Sequence, residues 1–292
     1  MIHLGLIGYP LGHSLSPRIH SAALRACGLA GDYSLFPIQP DDKKGLEDLL
    51  TRVCSREITG LNVTIPHKQN IIPLLDILTE TAEAIGAVNT IYLRNHRLIG
   101  DNTDAPGFLA DLRKFLAEFP SPVRAGQSRS VEEGVGVKKK QALVLGAGGS
   151  ARAIVYALLK DGWIVILAAR RIEQAQQLAY SFGNYELSIT DNNLSNIDLS
   201  HIALIVNATP VGMSLNTDRS PWPENLSFPR HAAIYDLVYN PRETKLMIDA
   251  QAQGLSAITG LGMLMEQAAL AFELWTGKQV SREILFPAVE GS

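Results

Sequence analysis

Two α/β domains in one chain of 292 residues are what this sequence predicts, and three observations carry the prediction. The length and an apolar content of 46% exceed what a single small core absorbs. Strand-like and helix-like segments alternate along both halves, the pattern of parallel sheets with helical crossovers. A glycine-rich turn near the middle joins a continuous apolar strand to an apolar-faced helix.

In the first hundred residues the order is "IHLGLIG" (2–8), "SPRIHSAALRACG" (16–28), "DYSLFPI" (32–38), "DKKGLEDLLTRV" (42–53), "GLNVTI" (60–65) and a helical stretch closing at "AEAIGAVNTIYL" (82–93). The helix after Leu15 is the best punctuated. Ser16 is placed as N-cap and Pro17 at the first helical position, Ile19, Ala23 and Cys27 share one face, and Gly28 stands just beyond the end. From Asp104 a helix runs through "APGFLADLRKFLAEF" (105–119). It gives way to a stretch from Pro120 to Lys140, rich in Pro, Gly, Ser and charge, that reads as a solvated insertion.

The second half repeats the alternation: "QALVLGAGG" (141–149), "SARAIVYALLKDG" (150–162), "WIVILAARR" (163–171), "IEQAQQLAYSFG" (172–183), "HIALIVNATP" (201–210), "AAIYDLVYNP" (232–241), "TKLMIDAQAQG" (244–254) and "LSAITG" (255–260). A last amphipathic helix, "MLMEQAALAFELWTG" (263–277), is closed by Gly277.

Composition narrows the function. The net charge is −3 and the pI near 6.2, with Lys and Arg scattered except at Lys138, Lys139 and Lys140. That argues against nucleic acid as partner and for a small-molecule substrate. Two cysteines, Cys27 and Cys54, give no disulfide framework, and no Cys/His spacing suits a metal, so none is expected. No apolar stretch approaches the roughly 20 residues of a membrane helix, and the first residues carry no basic n-region. The expectation is a cytoplasmic protein with no membrane association, working as a monomer or homodimer.

Two stretches carry chemistry. "GLNVTIPHKQN" (60–70) breaks a strand at Pro66 and frees Asn62, Thr64 and Lys68 at its end. "ALVLGAGGSARAIVYALL" (142–159) places Gly146, Gly148 and Ala151 in a G-x-G-x-x-A pattern, the Rossmann dinucleotide context. Gly146 serves the tight turn, Gly148 admits a pyrophosphate to the backbone, and Ala151 lets helix pack on strand. Where an NAD site would place an acid after the next strand, Arg170 and Arg171 stand instead, a pair suited to the 2′-phosphate of NADP.

With these pieces in hand, the chain resembles the shikimate dehydrogenase family from end to end. The resemblance rests on "SLSP" (14–17), "NVTIPHK" (62–68), "AVNT" (87–90), "DNTDAPGF" (101–108), "GAGGSARA" (146–153), "NATPVGM" (207–213), "YDLVYNP" (235–241) and "GLGMLMEQA" (260–268). It implies an N-terminal α/β substrate domain over residues 1–104, a Rossmann NADP-binding domain over 105–261, and a terminal segment, 262–292, that packs back on the first domain. The reaction implied is NADPH-dependent, reversible reduction of 3-dehydroshikimate to shikimate, a step towards chorismate and the aromatic amino acids. Its cleft is expected between domains that close to exclude water.

The resemblance also implies roles. Lys68 stands beside the reacting oxygen with Asp104 next to it. Hydride arriving at a carbonyl carbon leaves charge on oxygen, which an ammonium can stabilise and protonate. Ser14 and Ser16 take the substrate carboxylate, and Asn62, Thr64, Asn89 and Gln267 take hydroxyls or fix the lysine. Tyr239 is a further substrate candidate. Gly146, Ala147, Gly148, Gly149, Ser150 and Ala151 form the phosphate turn, Arg170 and Arg171 the 2′-phosphate site, and Thr209, Met213 and Gly260 the nicotinamide pocket. Each has a plainer alternative: Ser16 or Asp104 as helix cap, Asn89 as turn residue, Gln267 as exposed helix position, Tyr239 and Met213 as packing. His13 and His67 read as polar surface. The family's usual "NRT" tripeptide is here Ala169, Arg170, Arg171, which keeps the arginine and changes both neighbours. A quinate/shikimate dehydrogenase of broader specificity is the alternative within enzymes, and a non-catalytic NADP sensor the alternative outside them.

Overall fold

The computed structural model describes residues 1–118, 139–183, 185–194, 196–214 and 216–289. The insertion expected between Pro120 and Lys140 lies, but for its last two residues, outside the described residues. The chain forms two compact units, Met1–Gly107 with Leu264–Ser292, and Phe108–Met263.

The first unit contains β1 (Ile2–Gly8), α1 (Ser16–Ala26), β2 (Gly31–Pro37), α2 (Lys43–Cys54), β3 (Gly60–Val63), α3 (His67–Asn70), β4 (Ile77–Leu78), α4 (Glu80–Ile85), β5 (Thr90–Arg94) and β6 (Arg97–Asp101). Its sheet runs β2-β1-β3-β5-β6-β4. β1 pairs in parallel with β2 and β3, and β4 with β6, while β5 is antiparallel to both its neighbours. The core lies where Leu46, Leu49, Leu50 and Val53 of α2 meet Ile7, Leu61, Val63 and Ile91 of the sheet.

Two local expectations are corrected here. The helical stretch expected to close at "AEAIGAVNTIYL" ends early in that segment, at Ile85, because Gly86 takes a left-handed C-cap with φ 67°. The residues beyond it form β5, which turns into β6 through Asn95 and His96, both at positive φ (50° and 58°) as a tight hairpin demands. Ser16 is not the N-cap of α1. Leu15 occupies that position without a side-chain cap, and the backbone N–H of Ser16 is covered by Ser14 Oγ at 3.2 Å. Pro17 therefore falls at the second helical position rather than the first, still within the turn whose N–H groups need no partner in the helix, while Gly28 stands just beyond the end as expected, at φ 65°.

The second unit contains the rest of α5 (Asp104–Glu118), β7 (Gln141–Leu145), α6 (Gly149–Lys160), β8 (Ile164–Ala168), α7 (Ile172–Ser181), β9 (Leu187–Thr190), β10 (Ile202–Asn207), β11 (Ala233–Asp236), α8 (Lys245–Ala252), β12 (Ala257–Thr259) and the start of α9 (Leu261–Thr276). All its strand pairs are parallel, in the order β12-β11-β10-β7-β8-β9. Counted from β7, that is the 3-2-1-4-5-6 order of a Rossmann sheet. β9 leaves little mark in the sequence because it is a four-residue edge strand with no fully buried position. After α9 come α10 (Arg282–Leu285) and a 3-10 turn, Phe286–Ala288. Among the described residues no helix is long and apolar enough to cross a membrane.

Candidate active site

In the first unit the ends of β3, β5 and β6 meet the first turn of α5 around one buried ion pair. Lys68 Nζ donates to Asp104 Oδ2, and the two side chains are only 10% and 7% exposed. Lys68 sits on the single helical turn α3 that follows the break at Pro66, so that break is what swings the lysine back over the sheet end.

Asp104 is available for this because it does not cap its own helix. Asn102 does that work, its Oδ1 accepting from the N–H groups of Asp104 (3.1 Å) and Ala105 (3.2 Å). Asn89 is the hub. Its Nδ2 donates to Asp104 Oδ1 at 2.8 Å and to Thr103 Oγ1 at 2.9 Å, and its Oδ1 accepts from Thr103 N at 2.7 Å. Gln267 Oε1 lies at the edge of this lattice, 3.4 Å from Asn89 Nδ2. Gln267 is therefore no exposed helix position: Gly107 allows its approach, since a Cβ there would come within 2.8 Å of Gln267 N.

Asn62 is buried too. It accepts from the Tyr33 hydroxyl at 2.8 Å and donates to Asn89 O at 3.2 Å. Ser16 is buried, Ser14 and Thr64 half-buried. His67 corrects an expectation. It is fully buried, not polar surface, and its Nε2 donates to Ile38 O at 2.7 Å while Nδ1 has no partner among the described residues. His13 is exposed. Cys27 and Cys54 are both free thiols.

In the second unit the turn after β7 and the loop after β10 meet at the topological switch point, where open α/β sheets bind ligands. Gly146 has φ 106°, and a Cβ there would stand 2.9 Å from Thr209 Cγ2. Thr209 is pinned in turn by Asn207 Oδ1, which accepts from its N (2.9 Å) and Oγ1 (2.7 Å). Asn207 Nδ2 is held by Asp236 Oδ1 at 2.8 Å, and Asp236 Oδ2 accepts from Thr244 Oγ1 at 2.7 Å. Burial pushes the Asp236 carboxyl up, against the pull of those hydrogen bonds. "NATP" and "YDLVYNP" thus brace the turn. A dinucleotide fits what they brace: Gly148 stands at the N-cap of α6 with no side-chain cap, a Cβ on it would meet nothing within 4 Å among the described residues, and Ala151 is wholly buried beneath.

Ala147 is buried, while Gly149 and Ser150 are half-buried along the open side of the turn. Arg170 and Arg171 are exposed at the end of β8, and among the described residues neither guanidinium is paired. Met213 is exposed, at 44%, rather than core. Gly260 has no room for a side chain, since its Cβ would stand 2.6 Å from Leu237 O. Tyr239 belongs to this unit, and burial pushes its phenol pKa up.

A Rossmann sheet with an uncapped glycine turn at its switch point, in one chain with a buried lysine–carboxylate pair, defines a dinucleotide-dependent oxidoreductase. Family models described as "Shikimate dehydrogenase substrate binding domain", "Shikimate / quinate 5-dehydrogenase" and "Shikimate 5'-dehydrogenase C-terminal domain" match residues 6–91, 129–219 and 260–285. A shikimate dehydrogenase (NADP(+)) of Salinibacter ruber is 38% identical over 97% of this chain and 95% of its own length. The chain belongs to the shikimate dehydrogenase family. A relative of the same name from Carboxydothermus hydrogenoformans is 38% identical over 98% of this chain and 95% of its own. Among solved structures, shikimate 5-dehydrogenase from Thermus thermophilus in complex with NADP(H) and shikimate superposes with a TM-score of 0.81 at 37% identity, covering 99% of this chain and 98% of that one.

Proposed function

We propose that the chain catalyses the reversible, NADPH-dependent reduction of 3-dehydroshikimate to shikimate. The observation that carries this reading is the Lys68–Asp104 pair, buried and held by Asn89 on the unit that matches the substrate-binding model.

When bound, NADPH supplies a hydride to the substrate carbonyl carbon. As charge builds on that oxygen, Lys68 Nζ donates a hydrogen bond to it and passes it a proton, and the low dielectric of a buried site strengthens both effects. Asp104 aims the ammonium through Oδ2, while Asn89 keeps its other oxygen from turning away. Ser14 and Ser16 take the carboxylate, and Asn62, Thr64, Asn89 and Gln267 the ring hydroxyls. Tyr239, its phenol kept protonated by burial, offers a further donor.

The turn from Gly146 to Ala151 holds the pyrophosphate on backbone N–H groups. Arg170 and Arg171 take the 2′-phosphate, and Thr209, Met213 and Gly260 border the nicotinamide. One chain or a pair of chains works so in the cytoplasm.

Steady-state assays with shikimate and quinate, each against NADP and NAD, test the reading. The expected result is turnover of shikimate with NADP. Preference for quinate would move the chain to the broader-specificity branch, and no turnover of either acid would leave a nucleotide-binding protein without this activity.

A further inference from the structure

Tyr33 belongs to none of the motifs that point to the site, yet its surroundings are unusual. On β2 its ring lies flat against His20 of α1, with centroids 4.5 Å apart and planes 1° from parallel. Trp275 and Phe272 of α9 close round the same histidine, at 5.2 and 6.4 Å. His20 is wholly buried, and among the described residues neither of its ring nitrogens is in hydrogen-bond geometry with a partner. Burial pushes its pKa down to about 3, with Asn62 opposing, so it is a neutral, flat face at working pH. The buried ring thus neighbours both groups at issue, Tyr33, which it stacks on, and the Asn62 side chain.

The Tyr33 hydroxyl has one geometric consequence. An asparagine amide presents near-identical shapes in its two orientations, and only its partners decide which end is oxygen. Asn89 O is purely an acceptor, so it draws Nδ2 of Asn62 to itself at 3.2 Å. Oδ1 then faces Tyr33, whose hydroxyl must donate, at 2.8 Å. Both ends of the amide are thereby fixed, with Nδ2 making a further long contact, 3.5 Å to Thr90 Oγ1, and His20 another neighbour of the side chain.

We propose that Tyr33, held by the face of His20, is a positioning residue that fixes the Asn62 amide so that its remaining N–H is presented to a ring hydroxyl of the substrate. The inference rests on the reading that Asn62 contacts shikimate. The Ser16 hydroxyl also neighbours the phenol, which places Tyr33 beside a carboxylate ligand and a hydroxyl ligand at once.

Tyr33→Phe keeps the stack and deletes only the hydroxyl. It is expected to raise the shikimate KM about 5- to 20-fold, change kcat less than about 3-fold, and leave the NADP KM unmoved, since the loss is one hydrogen bond to a ligand-aligning group. In an Asn62→Ala background the same change should have almost no further effect, whereas in Ser14→Ala the two effects should multiply. A KM within 2-fold of wild type, or an undiminished effect in Asn62→Ala, would overturn the inference. Should Tyr33→Phe prevent folding, 3-fluorotyrosine placed at position 33 alone keeps the hydroxyl. Its ¹⁹F signal is expected to shift with shikimate and to ignore NADP, and a signal that ignores shikimate would overturn the inference. Wild-type turnover of shikimate separates the two failures: without it the functional reading falls and takes the inference with it, and with it an unresponsive Tyr33 sinks the inference alone.

Discussion

The two units solve binding in opposite ways. In the first, the candidate site groups are side chains locked into one another: Lys68 to Asp104, Asp104 to Asn89, Asn89 to Thr103, Asn62 to Tyr33. In the second, the site is backbone and empty space, a glycine turn with no cap and, beyond it, two arginines unpaired among the described residues. The difference follows from the ligands proposed. A small ring acid with several hydroxyls must be told from near relatives, and a preset polar lattice penalises any wrong arrangement by leaving buried groups unpaired. A dinucleotide is recognised through its phosphates, which many sequences can cradle once the turn is right.

Acid should separate the two units most. His20 titrates near 6.5 when unfolded and near 3 when folded. Below about pH 6.5 the unfolded chain therefore binds a proton that the folded chain refuses, and stability falls as pH drops towards 3. At about 1.4 kcal/mol per pH unit, this amounts to roughly 3 kcal/mol by pH 4. Asp236 in the second unit has the opposite sign. Its pKa is raised by burial, so the folded chain takes up its proton first and the contribution improves as pH falls through the folded pKa towards the ordinary carboxylate value. Hydrogen exchange at pH 7 and 4.5 should show protection lost first in α1 and β2, and His20→Phe should flatten that loss. Equal loss in both units would break the comparison.

Next in size is Lys68→Ala, expected to lower kcat about 100-fold or more, about 3 kcal/mol of barrier, with NADP affinity nearly unchanged. A variant keeping more than about a third of wild-type kcat would remove Lys68 from the chemistry. In the other unit, changing Arg170 and Arg171 together to Ala should weaken NADP by about 1.5–3 kcal/mol and leave NAD almost untouched. The NADP KM should also rise more steeply with salt than the NAD KM, because exposed contacts are screened. An unchanged cofactor preference in the double variant would locate the 2′-phosphate elsewhere. Smallest in stability is Asn102→Ala, expected to cost about 1 kcal/mol through its lost cap. Thermal unfolding measures that, and a fall in kcat beyond what Tm explains would show Asp104 drifting once its helix end loosens.

Much of this is legible in the sequence, and the exceptions share a cause. Signals carried by neighbours along the chain read through: the glycine turn between β7 and α6, the break at Pro66, the ends of α1. In "AVNTIYL" the residues suit helix and strand alike, and only pairing with β3 and β6 decides for strand. Asn102 is half visible, since "DNTD" at a helix start offers four cap-type residues and the burial that assigns them is tertiary. Tyr33, His20 and Thr103 leave no trace, because each owes its place to strand register or to residues far away in the chain.

That distance has a consequence for how the protein is made. Gln267 meets Asn89 across 178 positions, and Trp275 closes on Ile91 O across 184. A ribosome delivers β1 to β6 first and the whole Rossmann sheet before either partner emerges. For most of synthesis the polar lattice around Lys68 must wait without its last wall, its backbone covered by water or by whatever helper protein binds the nascent chain. The unit that holds Lys68, begun before the Rossmann sheet, is closed after it.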